Sequence, residues 1–293
     1  MILVVGATGH LGGEISRRLA ARGLPVRGLV RPTSAPEAVT SLREIGAQLV
    51  EGDLRDPASL LRAIHGATTV ISTATVTRSR QPGDSIEATD GEGQAALVEA
   101  ARKAAVGHFV YLSYSSHIGV DDPLTLAKRG TEARLRASGL PYTILRPSFF
   151  MEAWLSPALG FDYPNRHATI YGEGTAPISW IALADVAQFA VQSLTNPAAR
   201  DATLELGGPE ALSPTQVIRI FEQVAGEPFE VQSLPVATLE AQRAAAPDSL
   251  QRTFAALMLA YAKGDPISMA ATLARFPVSL TSVQDYARRA LAS

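Results

Sequence analysis

The chain has 293 residues and no cysteine. Disulfides, thiolate nucleophiles and cysteine-ligated metals or clusters are therefore excluded. Neither sign of charge is in excess: the formal net charge is −2, so there is no basic field to hold a nucleic acid. Histidine is scarce. His10, His65, His108, His117 and His167 are scattered without an H-E-x-x-H or similar ligand spacing, and no metal site is expected. No apolar run reaches the length of a membrane span. The chain begins in a strand-like run without a charged leader. These absences lead to the expectation of a soluble cytoplasmic protein without direct nucleic-acid or membrane contact. There is no internal repeat, and the length suffices for one large domain plus a smaller lobe.

What is present begins at once. The apolar run Ile2–Val5 is followed by Gly6-Ala7-Thr8-Gly9-His10-Leu11-Gly12, which opens an amphipathic segment from Leu11 to Ala21. Strand, glycine turn and helix stand in the order a nucleotide-binding βα unit requires. Gly6 permits a tight turn, Gly9 a close approach of backbone to pyrophosphate, and Gly12 close packing of helix on strand. The helix N-terminus offers N–H groups and a positive dipole end to phosphates. The alternative is a plain structural turn.

Further strands are predicted at Val26–Arg31, Gln48–Glu51, Thr69–Thr73, Phe109–Ser113 and Tyr142–Arg146. Continuous apolar runs of this kind suit strands buried on both faces. Helical patterns separate them. Ser34-Ala-Pro-Glu37 and Asp84-Ser-Ile-Glu87 read as capping boxes, and Asp56-Pro57 and Asp122-Pro123 as caps before a first-turn proline. Such alternation predicts an α/β fold: a Rossmann-type doubly wound parallel sheet with a smaller, mostly helical C-terminal lobe. The boundaries predicted are 1–148 for the nucleotide-binding domain, with 177–207 returning to it, and 149–176 plus 208–293 for the lobe. Within these, Ile178–Leu183 and Thr203–Leu206 read as strands, Asp185–Leu194 as a helix, and Ser213-Pro214 as the cap of a helix to Ala225. Residues 149–176, rich in aromatics, proline and glycine, read as irregular structure.

The end of the second strand carries Arg31 where folds that prefer NAD place an acid for the ribose 2′-hydroxyl. An arginine there can hold a 2′-phosphate through paired charge-assisted hydrogen bonds, and its other reading is a solvated surface arginine. Asp53 and Leu54 follow the third strand and suit an adenine amino group and ring face, or a simple turn. Ser72, Thr73 and Ala74 end the fourth strand with small side chains that admit a cofactor. Ser113 and Tyr114, followed by Ser115, Ser116 and His117, end the fifth strand and offer hydroxyls or an imidazole as proton donors, or a turn rich in hydrogen bonds. Phe149, Phe150 and Trp154 offer a wall for a flat substrate, or ordinary core.

The GATGHLG loop (6–12), LVRPTS (29–34), EGDLRD (51–56) and KRGTEARLRASGLPYTILRPSFFME (128–152) together resemble the atypical short-chain dehydrogenase/reductase group, and within it the NmrA-like branch with its NADPH:quinone oxidoreductase-like proteins. The likeness is strong over the first half and loose over 150–293. It implies an NADP(H)-binding Rossmann domain with the substrate against the C-terminal lobe. It makes Gly6, Thr8, Gly9, His10, Leu11 and Gly12 the phosphate loop, Arg31 the 2′-phosphate contact, and Asp53 and Leu54 the adenine contacts. It places Ser72, Thr73 and Ala74 on the ribose side, Lys128 at the nicotinamide ribose, and Pro147, Ser148 and Phe149 near the nicotinamide. One departure matters. Family reductases carry Tyr-x-x-x-Lys on this helix, and here the spacing reads Leu124-Thr-Leu-Ala-Lys128. Leucine is no acid or base. Lys128 itself has a second reading, a surface pair with Glu132 four residues on.

The expectation is an NADPH-dependent oxidoreductase transferring hydride to a small flat carbonyl acceptor, with a quinone favoured and with Lys128, Tyr114 and Ser113 as catalytic candidates. A non-catalytic NADP(H)-binding sensor or regulator of the NmrA type is the alternative, and an enzyme like a nucleotide-sugar epimerase is a weaker one. The partner expected is a small-molecule substrate; a homodimer or a regulatory protein partner is compatible with the sequence.

Overall fold

The computed structural model describes residues 1–77, 81–118 and 121–292. In chain order the first strands and helices are β1 (Ile2–Val5), α1 (His10–Ala20), β2 (Val26–Val30), α2 (Pro36–Glu44), β3 (Gln48–Glu51), α3 (Pro57–Ile64) and β4 (Thr69–Ser72). A π-helix (Ile86–Gly93) runs into α4 (Gln94–Lys103), followed by β5 (His108–Leu112), α5 (Pro123–Ala137) and β6 (Tyr142–Pro147). Then come α6 (Met151–Trp154), β7 (Phe161–Asp162), β8 (His167–Tyr171), α7 (Leu183–Gln192), β9 (Ala202–Leu206) and α8 (Pro214–Ala225). The chain ends with β10 (Glu230–Leu234), α9 (Val236–Ala245), α10 (Ser249–Lys263), α11 (Ala270–Arg275) and α12 (Val283–Ala292).

Two compact units result. The first comprises 1–113, 123–145 and 186–204, and the second 114–122, 146–185 and 205–293. The seven-stranded sheet has the order β3-β2-β1-β4-β5-β6-β9. Its pairs from β3 through β6 are all parallel. The order reverses direction between β1 and β4, the switch point beside which open α/β sheets bind ligands at their strand C-termini. All four residues of β1 are buried, as an apolar run covered on both faces requires. Each large side chain so buried contributes about 1.5–3 kcal/mol. The core of this unit joins Leu3, Val5, Leu29, Leu60, Val70 and Phe109.

The second unit is helical with one addition, a three-stranded sheet β10-β8-β7. Its core is aromatic: Phe149, Phe161, Trp180, Phe221 and Tyr261. Trp180 is fully buried, and its indole N–H donates to the Leu212 carbonyl at 2.8 Å.

Three local expectations need correction. Ile178–Leu183 forms isolated bridges at Ile178 and Ile181 rather than a strand. Ser34 does not cap α2: the cap position is Ala35, without a side-chain bond, because the Ser34 hydroxyl accepts from the Arg31 backbone N–H at 2.9 Å. Asp84 does not cap the following helix either. Ser85 does, accepting from the Ala88 N–H, while the Asp84 carboxylate turns to Arg31. The cap at Asp56 is observed, and at Ser213 a full capping box forms with Gln216.

Candidate functional site

In the first unit the glycine loop is shaped by close approach. Gly6 has φ +86°, and a Cβ there would stand 2.7 Å from Thr73 Oγ1 and 2.8 Å from the Ala74 nitrogen. A Cβ on Gly12 would lie 2.2 Å from the Gly6 carbonyl oxygen. The Gly9 N–H closes the turn onto the Gly6 carbonyl at 3.0 Å, and the Gly13 N–H bonds the Gly9 carbonyl at 2.8 Å. The first turn of α1 therefore carries the N–H groups that a helix cannot satisfy internally. Gly9 and His10 are exposed there, Thr8 is half-buried, and Leu11 is buried against the sheet. This is a cradle that fits a pyrophosphate: backbone donors, a dipole end and no Cβ in the way. Gly12→Ala is expected to cost about 1–3 kcal/mol through overpacking. Thermal and urea denaturation would measure it, and wild-type stability in this variant would contradict the packing described.

At the end of β4, Thr73 N–H and Oγ1 both reach the Val5 carbonyl, at 2.9 and 3.3 Å. The Ser72 hydroxyl is fully buried and donates to Gln94 Oε1 at 2.9 Å, whose amide donates on to the Ala74 carbonyl at 3.0 Å. After β3, Leu54 joins the hydrophobic core. Asp53 is held by Arg55, Nε to Oδ1 at 3.0 Å and Nη2 to Oδ2 at 2.9 Å, and that bond keeps its carboxyl below the ordinary range. Arg31 Nη1 donates to both oxygens of Asp84, at 3.2 and 2.9 Å. A cavity of about 460 Å³ opens beside Arg31, lined also by Pro32, Ser34, Thr40 and Arg43.

Lys128 is not on the surface with Glu132. It is only 4 % exposed. Its ammonium donates to the Leu112 carbonyl at 3.2 Å and faces Asp90 Oδ1 at 3.6 Å, above the ring of Tyr111. Burial pushes its pKa down, and Asp90 pulls the other way. Asp90 comes from the π-helix, is fully buried, and accepts the Val76 N–H at 3.0 Å through its second oxygen. Glu132 is instead buried between Arg129 and Arg136. Ser113 is buried, and its hydroxyl accepts from Arg129 at 2.9 Å. Leu124, where the family tyrosine would stand, is a buried apolar residue.

In the second unit, Phe149 is core rather than open wall: it is 2 % exposed and meets Trp154 edge-on at 4.8 Å. Trp154 and Phe150 keep partial exposure, and Trp154 stacks on Tyr261 at 5.5 Å. Ser148 is buried, its backbone N–H on the Leu206 carbonyl at 2.8 Å. Pro147 is buried too, its carbonyl accepting the Ser115 N–H at 2.9 Å. Tyr114 and Ile118 pack on the same aromatic cluster. Between them, fully buried Asp265 accepts from the Ser115 hydroxyl at 2.8 Å and lies 3.2 Å from His117 Nδ1. The imidazole remains half exposed.

The NmrA-like family model matches residues 1–286. The chain belongs to the NmrA-like family. Photosystem II assembly factor Ycf39 of Trieres chinensis is 33% identical over 241 residues, covering 82% of this chain and 73% of that protein. The NAD(P)H azoreductase of Xenophilus azovorans is 33% identical over 232 residues, 78% of this chain and 75% of that one. Among solved structures, the NADPH-dependent quinone oxidoreductase QOR2 of Escherichia coli, complexed with NADPH, shares the fold with a TM-score of 0.79. It is 22% identical, with 99% of this chain and 100% of that one covered.

Within this NmrA-like chain, the sequence pointed to Asp84 only as a helix cap and did not single out Arg55, Asp90, Gln94 or Asp265. Asp90 and Gln94 left one signal: buried polar side chains on the inward face of a helix that also buries Ile86 and Leu97. π-Helical turns of this kind recur at functional sites. Asp265 left none. Among the described residues, no helix is long and apolar enough to cross a membrane.

Proposed function

We propose that the chain is an NADP(H)-dependent reductase that passes hydride to a small flat conjugated acceptor, a quinone in the first place. The carrying observation is the Cβ-excluding loop Gly6–Gly12 at the end of β1, with Arg31 just past the adjacent strand. Backbone N–H groups of residues 10–12 would hold the pyrophosphate, and Arg31 the 2′-phosphate. Thr73 and Ala74, against which Gly6 packs, would bound the ribose side. Bound NADPH would supply the hydride, so the protein need not carry a redox group of its own. The names of the azoreductase relative and of the NADPH-bound quinone oxidoreductase support this class of reaction.

A quinone takes one hydride and one proton to become a hydroquinone. With leucine at 124, the proton source is assigned to His117: buried Asp265 fixes its Nδ1 side, which leaves Nε2 to exchange protons. His117→Gln is expected to lower kcat about 100-fold in steady-state assays, and an unchanged kcat would assign the proton to solvent.

The test is to incubate the purified chain with NADPH and a panel of quinones and azo dyes and follow cofactor absorbance. Turnover with an acceptor supports the reading. Tight NADPH binding without turnover on any of them would overturn it in favour of a second reading, an NADP(H)-binding regulator or assembly protein. Buried Leu124 and the likeness to an assembly factor favour that second reading.

A further inference from the structure

The geometry points to Asp84 as the residue that sets cofactor specificity, by occupying with its carboxylate the arginine edge that a 2′-phosphate would take. The inference rests on the NADP(H) reading above and adds a competitor to it. Both Asp84 oxygens bond Arg31 Nη1, at 3.2 and 2.9 Å. The carboxylate is 3% exposed against 23% for the Arg31 side chain. It also accepts the Gln81 N–H at 3.1 Å and lies 3.6 Å from Arg55 Nη1.

The segment that carries it is fastened to both neighbouring loops. The Gln81 amide donates to the Thr33 carbonyl at 3.0 Å, and Arg55 Nη1 donates to the Pro82 carbonyl at 2.9 Å. A Cβ on Gly83 would stand 2.6 Å from Arg55 Nη1, and Gly83 has φ +84°, so glycine lets the turn lie on the guanidinium.

Charge decides the consequence. Among the described residues, Arg31 and Arg55 face Asp84 and Asp53, and Asp53 is committed to Arg55. A phosphate monoester brings a charge of about −1.5 to −2. The Asp84 carboxylate repels that charge and competes for the Arg31 guanidinium, whereas removing it takes away the competitor and makes the cluster more positive by one. The 2′-phosphate must therefore displace Asp84 from Arg31. NADH lacks that phosphate and has no such exchange to make.

Asp84→Asn keeps an acceptor for Gln81 and removes the charge. Calorimetric titration should show NADPH bound about tenfold more tightly by this variant than by the wild type, with NADH changed by less than about twofold. Asp84→Ser is the second variant should the first fail to fold, and thermal unfolding checks both. Unchanged or weaker NADPH binding would overturn the inference and leave the cofactor reading standing. Equal tightening for NADH would also overturn it, because Asp84 would then oppose the whole nucleotide and not its 2′-phosphate. A wild type that binds neither nucleotide would overturn both.

Discussion

Lys128→Met is expected to lower the unfolding stability by about 3–5 kcal/mol, because it strips the only ammonium facing a fully buried carboxylate among the described residues. Asp90 keeps its Val76 bond, but its other oxygen has no hydrogen-bond partner and would lose the charge 3.6 Å away. Methionine fills the lysine's volume, so the loss measures charge rather than a cavity. The double variant Lys128→Met/Asp90→Asn should recover most of the stability, since a neutral pair removes the stranded charge. Urea unfolding of the four species of the cycle checks this. Additive losses would contradict a coupled pair. The wild type should also gain stability as pH rises from the depressed folded pKa of Lys128 toward its ordinary 10.5. The unfolded chain binds the extra proton in that window, and the methionine variant should lack that slope.

Arg31→Ala is expected to weaken NADPH binding about 100-fold and to leave NADH within about twofold. The asymmetry follows from what each nucleotide offers a guanidinium: a phosphate on one ribose, a hydroxyl on the other. Thermal shift reads the same difference, since saturation at one hundred times the dissociation constant stabilises by about 2.7 kcal/mol. Equal losses for both nucleotides would remove Arg31 from the 2′-phosphate and assign it to the fold, through Asp84.

The parts of this molecule governed by neighbours in sequence were legible before the structure. The run Ile2–Val5, the turn at Gly6 and the helix after Gly9 show in the local pattern, as does the box at Ser213 and Gln216, although the approach of Thr73 and Ala74 to Gly6 does not. Where a polar side chain has a distant partner, local rules mislead. Ser34 and Asp84 both read as helix caps, yet one serves the Arg31 backbone and the other the Arg31 side chain, 53 residues away. Lys128 and Glu132 have the spacing of a surface pair, but Lys128 faces Asp90 of the π-helix and Glu132 is buried between Arg129 and Arg136. Asp265 reaches Ser115 across 150 residues, a pairing no pattern announces. The small sheet corrects the reading of 149–176 as irregular, which holds β7 and β8 among its aromatics and glycines, and its third strand β10 is exposed along nearly its whole length.

On the proposed reading, the loop at Gly6–Gly12 and Arg31 hold NADP(H). Calorimetric titration of the wild-type chain with NADPH and with NADH tests it most directly. Saturable binding of one NADPH per chain, at least about tenfold tighter than NADH, is the expected result. Absence of NADPH binding, or binding no tighter than NADH, would contradict it.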